Sequence, residues 1–182
     1  MASALLTYSR YTLAQVRQAW AKRHKPPREV FIDFVLASTA LQYTAKILCL
    51  GPRNQAELDC WRVRGYPHVE GIDLLPARGV RLGDMHRLPY PENSQDVVYA
   101  SHVLEHAFHP AQVAREIVRV LKLRGLFFAA FPVGFTPNHH DRFDYRHADG
   151  LLTWFRPARF TSLWTQERPT EVALLARLEA KA

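Results

Sequence analysis

Short, unbroken runs of apolar residues separated by helix-like stretches constrain this fold more than any other feature. The run KILCL at 46–50 is followed by a turn at Gly51 and a helical stretch at 54–64. The runs DVVYAS and LFFAAF, at 96–101 and 126–131, flank an amphipathic segment at 110–123. Such runs are typical of strands buried on both faces. Strands that alternate with helices predict an α/β fold with an open, mostly parallel sheet.

The rest of the chain adds elements of the same kind. Pro26 and Pro27 separate two N-terminal helices, and Gly125 is expected to cap the helix at 110–123. The stretch 171–180 suits a helix as well as a strand by its periodicity. The predicted elements are helices at 11–23, 29–41, 54–64, 110–123 and near 148–156, strands at 46–50, 68–73, 79–84, 96–101 and 126–131, a loop at 132–147, and the segments 159–166 and 171–180.

The composition fits one globular unit, with 182 residues of which 48% are apolar. No apolar run is long enough to span a bilayer, and the N-terminus lacks the pattern of a signal peptide, so we expect a cytoplasmic protein. Cys49 and Cys60 are expected to be buried and reduced. We expect an N-terminal helical cap at 1–45 and a catalytic domain at 46–182, together forming one compact unit.

The net charge of +7 is concentrated near the N-terminus. The first thirty residues contain one acid, Glu29, and six cations: Arg10, Arg17, Lys22, Arg23, Lys25 and Arg28. This patch could contact an anionic substrate, a nucleic acid or a membrane surface, or could simply be a solvated helix face. Leu13, Val16 and Trp20 share one face of the helix at 11–23, and we expect that face to pack against the domain as a cap near the ligand crevice.

Glycine and acidic residues follow the predicted strands at the edge where parallel sheets bind ligands. Gly51 follows the first strand, where a glycine lets the backbone approach a ligand. Asp73 ends the second strand about 20 residues later, an offset at which an acid can bind both hydroxyls of a ribose. Asp84 closes the third strand, and SHVLEHAFHP at 101–110 follows the fourth.

In this order, these segments resemble the class I S-adenosylmethionine-dependent methyltransferases. The stretch 81–106 is similar to the small branch that carries an acid-x-x-x-L-P-(F/Y) motif followed by Leu-Glu-His, and 121–132 resembles its fifth strand. The resemblance is close over 46–132 and looser elsewhere. It implies a Rossmann-like, seven-stranded sheet with helices on both faces, in which the last strand, 171–180, is antiparallel and inserted beside the fifth. It also implies methyl transfer from the cofactor S-adenosyl-L-methionine.

The resemblance further implies cofactor contacts. Gly51 would let its loop pass the methionine part, and Asp73, with Leu74 beside it, would hold the ribose hydroxyls. Asp84 would lie near the adenine amine, with Met85 packed on the ring.

The loop after the fourth strand, with Ser101 and His102, would flank the sulfonium. The first loop departs from the family pattern, because Cys49 replaces an acid and Pro52, Arg53 and Asn54 replace further glycines. Pro52 has no N–H to donate. Arg53 or Asn54 could contact the cofactor's carboxylate instead, or the loop could have lost cofactor binding.

A base that removes a proton from the acceptor would assist the transfer to a hydroxyl or amine. His106 is the first candidate, because it follows the fourth strand, with His140, Asp141 and Tyr145 behind it. The last three lie in a loop at 137–147 that resembles the acceptor-pocket segment of relatives, although a surface loop is the alternative. We expect no metal site, because no cysteine or carboxylate completes an obvious ligand set with the histidines after the fourth strand.

The resemblance favours a small-molecule acceptor such as a metabolite, a lipid precursor or a sugar. One rival is a catalytically silent protein of this fold that acts as a binding or scaffold partner, as the altered first loop would allow. Another is a nucleic-acid methyltransferase, suggested by the basic N-terminus. Residues 100–103 lack the Asn/Asp-Pro-Pro-aromatic motif of enzymes that methylate base amines. The sequence does not indicate an oligomeric state.

Overall fold

Seven strands form one sheet in a computed structural model of the chain, which describes residues 2–22, 29–52 and 54–181. Their order is β3-β2-β1-β4-β5-β7-β6. Strands β1 to β5 pair in parallel, whereas β7 is antiparallel to both β5 and β6. The predicted seven-stranded sheet is confirmed, including the antiparallel last strand. The strands are β1 (Ile47–Leu50), β2 (Val69–Asp73), β3 (Val80–Leu82), β4 (Gln95–Ser101), β5 (Leu121–Pro132), β6 (Arg159–Arg168) and β7 (Glu171–Ala180).

Helices cover both faces of the sheet and divide the core into two layers. One layer includes Ile117, Phe127 and Leu174, and the other includes Ile32 and Trp61. The apolar strands are therefore buried on both sides, as their unbroken apolar runs predict. The helices are α1 (Ala2–Lys22), α2 (Glu29–Ala37), α3 (Gln55–Arg62), α4 (Pro110–Val120) and α5 (Ala148–Leu152), with 3₁₀ turns at Leu104–His106 and Thr153–Phe155.

The junction between α4 and β5 differs from the sequence prediction. Helix α4 ends at Val120 rather than at 123, and Gly125 lies inside β5 instead of capping the helix. The backbone bulges here, because Gln95 pairs with Leu121 while Val97 pairs with Leu126. The first residues of β5 therefore form a bulge. Their polar side chains extend the amphipathic pattern of α4, which is why the sequence predicts a longer helix.

The buried face of α1 also differs from the prediction. Leu13 and Trp20 are 53% and 57% exposed, whereas Tyr11 and Gln15 are only 6% and 7% exposed. The prediction that the Leu13–Val16–Trp20 face packs inward is therefore wrong. Tyr8, Tyr11 and Gln15 face the domain because each has a hydrogen-bonding partner there.

Several remaining expectations concern local features. Cys49 and Cys60 are buried and free, as expected. Pro26, Pro27 and the cations Arg23, Lys25 and Arg28 lie outside the described residues. Within the three described ranges, every helix is too short or too polar to cross a lipid bilayer. The division into a cap and a catalytic domain stays a prediction.

Truncating the centre of β7 should test the position of the core. Leu174 is fully buried between the sheet and its helices. We expect Leu174→Ala to lower the free energy of unfolding by about 2–5 kcal/mol, measured by urea denaturation. The matched variant Leu82→Ala, at a position that is 62% exposed, should change it by less than about 0.5 kcal/mol. Equal effects of the two variants would contradict this core.

Candidate functional site

The loop after β1 passes close to the loop after β4. Gly51 has a φ of 61°, a left-handed conformation that favours glycine, and its N–H donates to the carbonyl of Ile72 at 2.8 Å. A Cβ at this position would clash with the side chain of Val103. Glycine is therefore required both by its backbone conformation and by this contact, which brings the loops after β1 and β4 together.

Asp73 lies at the end of β2, beside this glycine. Its Oδ1 accepts a hydrogen bond from the N–H of Leu75 at 2.7 Å, and its Oδ2 faces the position of Gly51. Burial raises the pKa of Asp73 to about 6, and the backbone N–H groups of Leu75 and Leu74 offset only part of that rise. The charged carboxylate is thus incompletely stabilised here, and a ligand that donates hydrogen bonds would stabilise it.

Asp84 and His86 form a tightly bonded pair at the next strand. Oδ1 of Asp84 accepts from the backbone N–H of His86 at 2.8 Å and lies 2.6 Å from the ring Nδ1. The ring Nε2 of His86 accepts from the N–H groups of Phe108 and His109 at 3.0 and 3.2 Å. Because Nε2 is an acceptor, we assign the proton of the neutral ring to Nδ1, which donates to Asp84. His86 therefore connects the acid to the loop that follows β4.

Tyr8 of α1 occupies the other oxygen of the same acid. Its hydroxyl donates to Oδ2 of Asp84 and lies 3.2 Å from Nδ1 of His86. Burial, followed by the hydrogen bond to Asp84, raises the pKa of Tyr8 far above its usual value, so the hydroxyl stays protonated. Burial would raise the pKa of Asp84, but the bonds from His86 and Tyr8 hold it below the usual value. The acid that the resemblance assigns to the adenine amine is thus already bonded to α1.

His102 is held across the sheet edge by the first residue of β7. Its φ is 53°, its N–H donates to the carbonyl of Ala130 at 2.7 Å, and its Nε2 lies 2.9 Å from Oε2 of Glu171. Its Nδ1 lies 3.8 Å from Oε1 of the buried Glu105. The two carboxylates fix the imidazole beside the end of β4, next to Ser101.

His106 and the 137–147 loop form a second histidine–carboxylate pair. Nδ1 of His106 lies 3.1 Å from Oδ1 of Asp141 and 3.1 Å from the carbonyl oxygen of His140. A carbonyl can only accept, so we assign a proton to Nδ1, which points toward these two oxygens, while Nε2 lies 3.9 Å from Oε1 of the buried Glu105. This is the arrangement in which an acid orients a general base.

The same residues offer ligand atoms within 4.8 Å of one another, with Glu105 as the third member. A metal ion bound at Nδ1 would have to displace the proton shared with His140 and Asp141. The structure thus brings two carboxylates to His106, a set that the sequence did not make obvious, and the expectation of no metal site stays a prediction.

Tyr145 has a structural environment instead of a catalytic one. Its side chain is 6% exposed, and its hydroxyl donates to the carbonyl of Leu104 at 2.8 Å. This bond secures the 137–147 loop to the 3₁₀ turn, as do the N–H groups of Arg142 and Phe143, which donate to the carbonyl of Glu105. The hydroxyl is committed and buried, so the structure gives no support to Tyr145 as a proton acceptor.

The remaining predicted cofactor residues lie around the same edge. Asn54 caps α3, because its side-chain oxygen accepts the N–H of Ala56 at 2.9 Å. Leu74 and Met85 are half-buried, and Met85 packs against the core. Arg53 lies outside the described residues.

Sequence reasoning missed Tyr8, His86 and Glu171. Only His86 had a local signal, since it lies two residues after a candidate acid. Tyr8 and Glu171 reach the site from distant parts of the chain.

Comparisons with known proteins concern the domain and the fold. Residues 65–129 match a family model described as a methyltransferase domain. This match covers about a third of the chain and is consistent with the resemblance to the class I methyltransferases. The narrower branch with the Leu-Glu-His signature stays a prediction, and no curated protein matches the sequence significantly.

Solved structures share the fold at low identity. A Burkholderia thailandensis 1,6-didemethyltoxoflavin-N1-methyltransferase, solved with bound 1,6-didemethyltoxoflavin and S-adenosylhomocysteine, is 16% identical with a TM-score of 0.68, over 98% of this chain and 89% of that one. A Mesorhizobium loti S-adenosylmethionine-dependent methyltransferase is 15% identical with a TM-score of 0.62, over 80% and 96%. The [4+2]-cyclase SpnF is 18% identical with a TM-score of 0.59, over 85% and 81%. The fold therefore hosts more than one activity.

The raised pKa of Asp73 predicts how the free energy of unfolding depends on pH. Between pH 4 and 6 the unfolded chain loses this proton before the folded chain does, so stability falls as the pH rises through that window. Asp73→Asn removes this cost. We expect the variant to be more stable than the wild type by about 1–3 kcal/mol at pH 8 and equally stable near pH 4, measured by urea denaturation at both pH values. A variant less stable at pH 8 would show that the carboxylate supports the fold.

Proposed function

We propose that this chain transfers a methyl group from S-adenosylmethionine to a small-molecule acceptor bound beside the end of β4. The observation that carries the proposal is Asp73, an incompletely stabilised carboxylate that faces an obligatory glycine at the sheet edge. Two neighbouring hydroxyls, as in a ribose, would supply the hydrogen bonds it lacks. When bound, S-adenosylmethionine supplies a methyl group on a sulfonium, which needs alignment more than activation.

The residues along the edge fit the rest of the cofactor in part. Gly51 leaves room for the methionine portion, and Ser101 and His102 border the position between cofactor and acceptor. The amide of Asn54 could donate to the cofactor's carboxylate, since Pro52 has no N–H. Asp84 fits the adenine amine only once Tyr8 has left its Oδ2.

His106 is the proposed proton acceptor. Its Nδ1 faces Asp141 and the carbonyl of His140, which orients the ring with Nε2, 3.9 Å from Oε1 of Glu105, as the proposed proton-accepting atom. An acceptor hydroxyl or amine would pass its proton to Nε2, and Asp141 would stabilise the imidazolium that forms. His102, held in place by Glu171, would line the acceptor pocket next to the reacting atoms.

Binding of the cofactor product separates the enzyme from a silent protein of the same fold. Asp73→Ala should weaken S-adenosylhomocysteine binding by roughly ten- to a hundredfold, because a hydrogen bond to a charged group contributes about 1.5–3 kcal/mol. Asp73→Asn should fall between the two. The measurement is titration calorimetry at pH 8, where the wild-type carboxyl is ionised.

Thermal melts of the same variants control for folding. Equal affinities of the wild type and Asp73→Ala would remove Asp73 from the site. If the folded wild type does not bind, a silent binding or scaffold protein replaces the enzyme. Methylation of RNA or DNA, but of no small molecule, would support the nucleic-acid alternative that the basic N-terminus suggests.

Removing the Tyr8 hydroxyl should strengthen binding of the same ligand. The bond from Tyr8 stabilises the state in which Asp84 is occupied, and cofactor binding must replace it. We expect Tyr8→Phe to raise the affinity for S-adenosylhomocysteine by up to about tenfold in calorimetry.

Tyr11→Phe is the matched control. It removes a hydrogen bond between the same helix and the carbonyl of His106, 2.5 Å long, while Asp84 stays bonded to Tyr8. We expect Tyr11→Phe to raise the affinity for S-adenosylhomocysteine clearly less than Tyr8→Phe does. Equal gains would mean that general loosening of α1, and not competition at Asp84, limits binding.

A further inference from the structure

Helix α1 has an apolar stripe on its outer face that the proposed function leaves unexplained. Tyr8, Tyr11 and Gln15 point toward the domain. At 100° per residue, Leu13 and Trp20 lie on the opposite side of the helix, two turns apart. More than half of each of these side chains is exposed, and the half-exposed Val16 lies between them along the helix.

Exposed cations border this stripe. Arg10 and Arg17 project from the same outer side, with Arg17 between Leu13 and Trp20 in sequence. The sequence continues with Lys22, Arg23, Lys25 and Arg28, and Glu29 is the only acid in the first thirty residues. Among the described residues, the outer face therefore combines exposed apolar side chains with two exposed arginines, and the sequence that follows adds further positive charge.

Exposed apolar side chains next to cations favour one kind of binding partner. A phosphate backbone attracts cations but gains little from a leucine side chain, and an ordinary solvated face would not carry a half-exposed tryptophan and leucine in line. An anionic lipid surface accepts both, because arginine binds the headgroups while leucine and tryptophan enter the headgroup–acyl boundary. We propose that the outer face of α1 docks this protein on an anionic lipid surface.

The docked orientation follows from the two faces of the helix. The inner face contacts Asp84 through Tyr8, and the backbone of His106 and His140 through Tyr11 and Gln15. The carboxyl edge of the sheet would thus lie about one helix diameter, roughly 10 Å, from the lipid surface.

Vesicle co-sedimentation tests the proposal with the full chain. We expect binding to vesicles that mix phosphatidylglycerol with phosphatidylcholine, and much weaker binding to phosphatidylcholine alone. Leu13→Ser and Trp20→Ser should each weaken binding by roughly tenfold or more. The matched control is Leu123→Ser, which removes a leucine of similar exposure (57%, against 53% for Leu13) from the β5 bulge and should bind like the wild type.

Three outcomes would overturn the proposal. The first is no binding to the anionic vesicles by the folded wild type. The second is binding that salt abolishes but that neither Leu13→Ser nor Trp20→Ser weakens, which would reflect charge alone. The third is tighter binding to duplex RNA or DNA than to vesicles at the same ionic strength. Because no cofactor is present in this assay, its result is independent of the proposed methyl transfer.

Discussion

Burial of the sheet on both faces is the constraint on which the rest of the structure depends. Strands β1, β4 and β5 have no solvated face, so their polar groups can meet a ligand only at the strand ends. At the carboxyl ends, the chain must leave the sheet through loops, and in these loops lie the glycine, the acids and the histidines. The position of the site thus follows from the core, because polar side chains are unfavourable inside the buried strands and are tolerated in the loops at their ends.

The mostly parallel α/β sheet could be predicted from apolar patterns, whereas the antiparallel strand at 171–180 could be predicted only from the family resemblance, because its periodicity suits a helix as well. Gly51, Asp73 and Asp84 could be placed at one edge because each follows or ends a predicted strand. The degree of burial could not be predicted. Asp73 has a pKa near 6 because of what surrounds it, and no spacing between two residues encodes that environment.

Contacts between distant segments account for most of what the sequence did not show. Glu171 reaches His102 across 69 positions, and Tyr8 reaches Asp84 across 76. Neither pair leaves a periodic pattern. Tyr145 shows a further contact of this kind, since its position in a polar loop suggests chemistry while its hydroxyl donates to the carbonyl of Leu104, 41 positions away.

Helix α1 explains why periodicity alone gave the wrong face. Either side of this helix is suited to burial. One side has tyrosines and a glutamine that form hydrogen bonds, and the other has leucine and tryptophan. An apolar stripe is normally assigned to the core, because burial of apolar surface is the dominant favourable term in folding. Here the acid and carbonyl groups at the sheet edge need donors, and leaving them buried without donors would cost about 1–3 kcal/mol each. Tyrosine and glutamine supply those donors and also bury apolar surface, whereas leucine only buries apolar surface. The need of these acceptors for hydrogen-bond donors therefore sets the orientation of the helix.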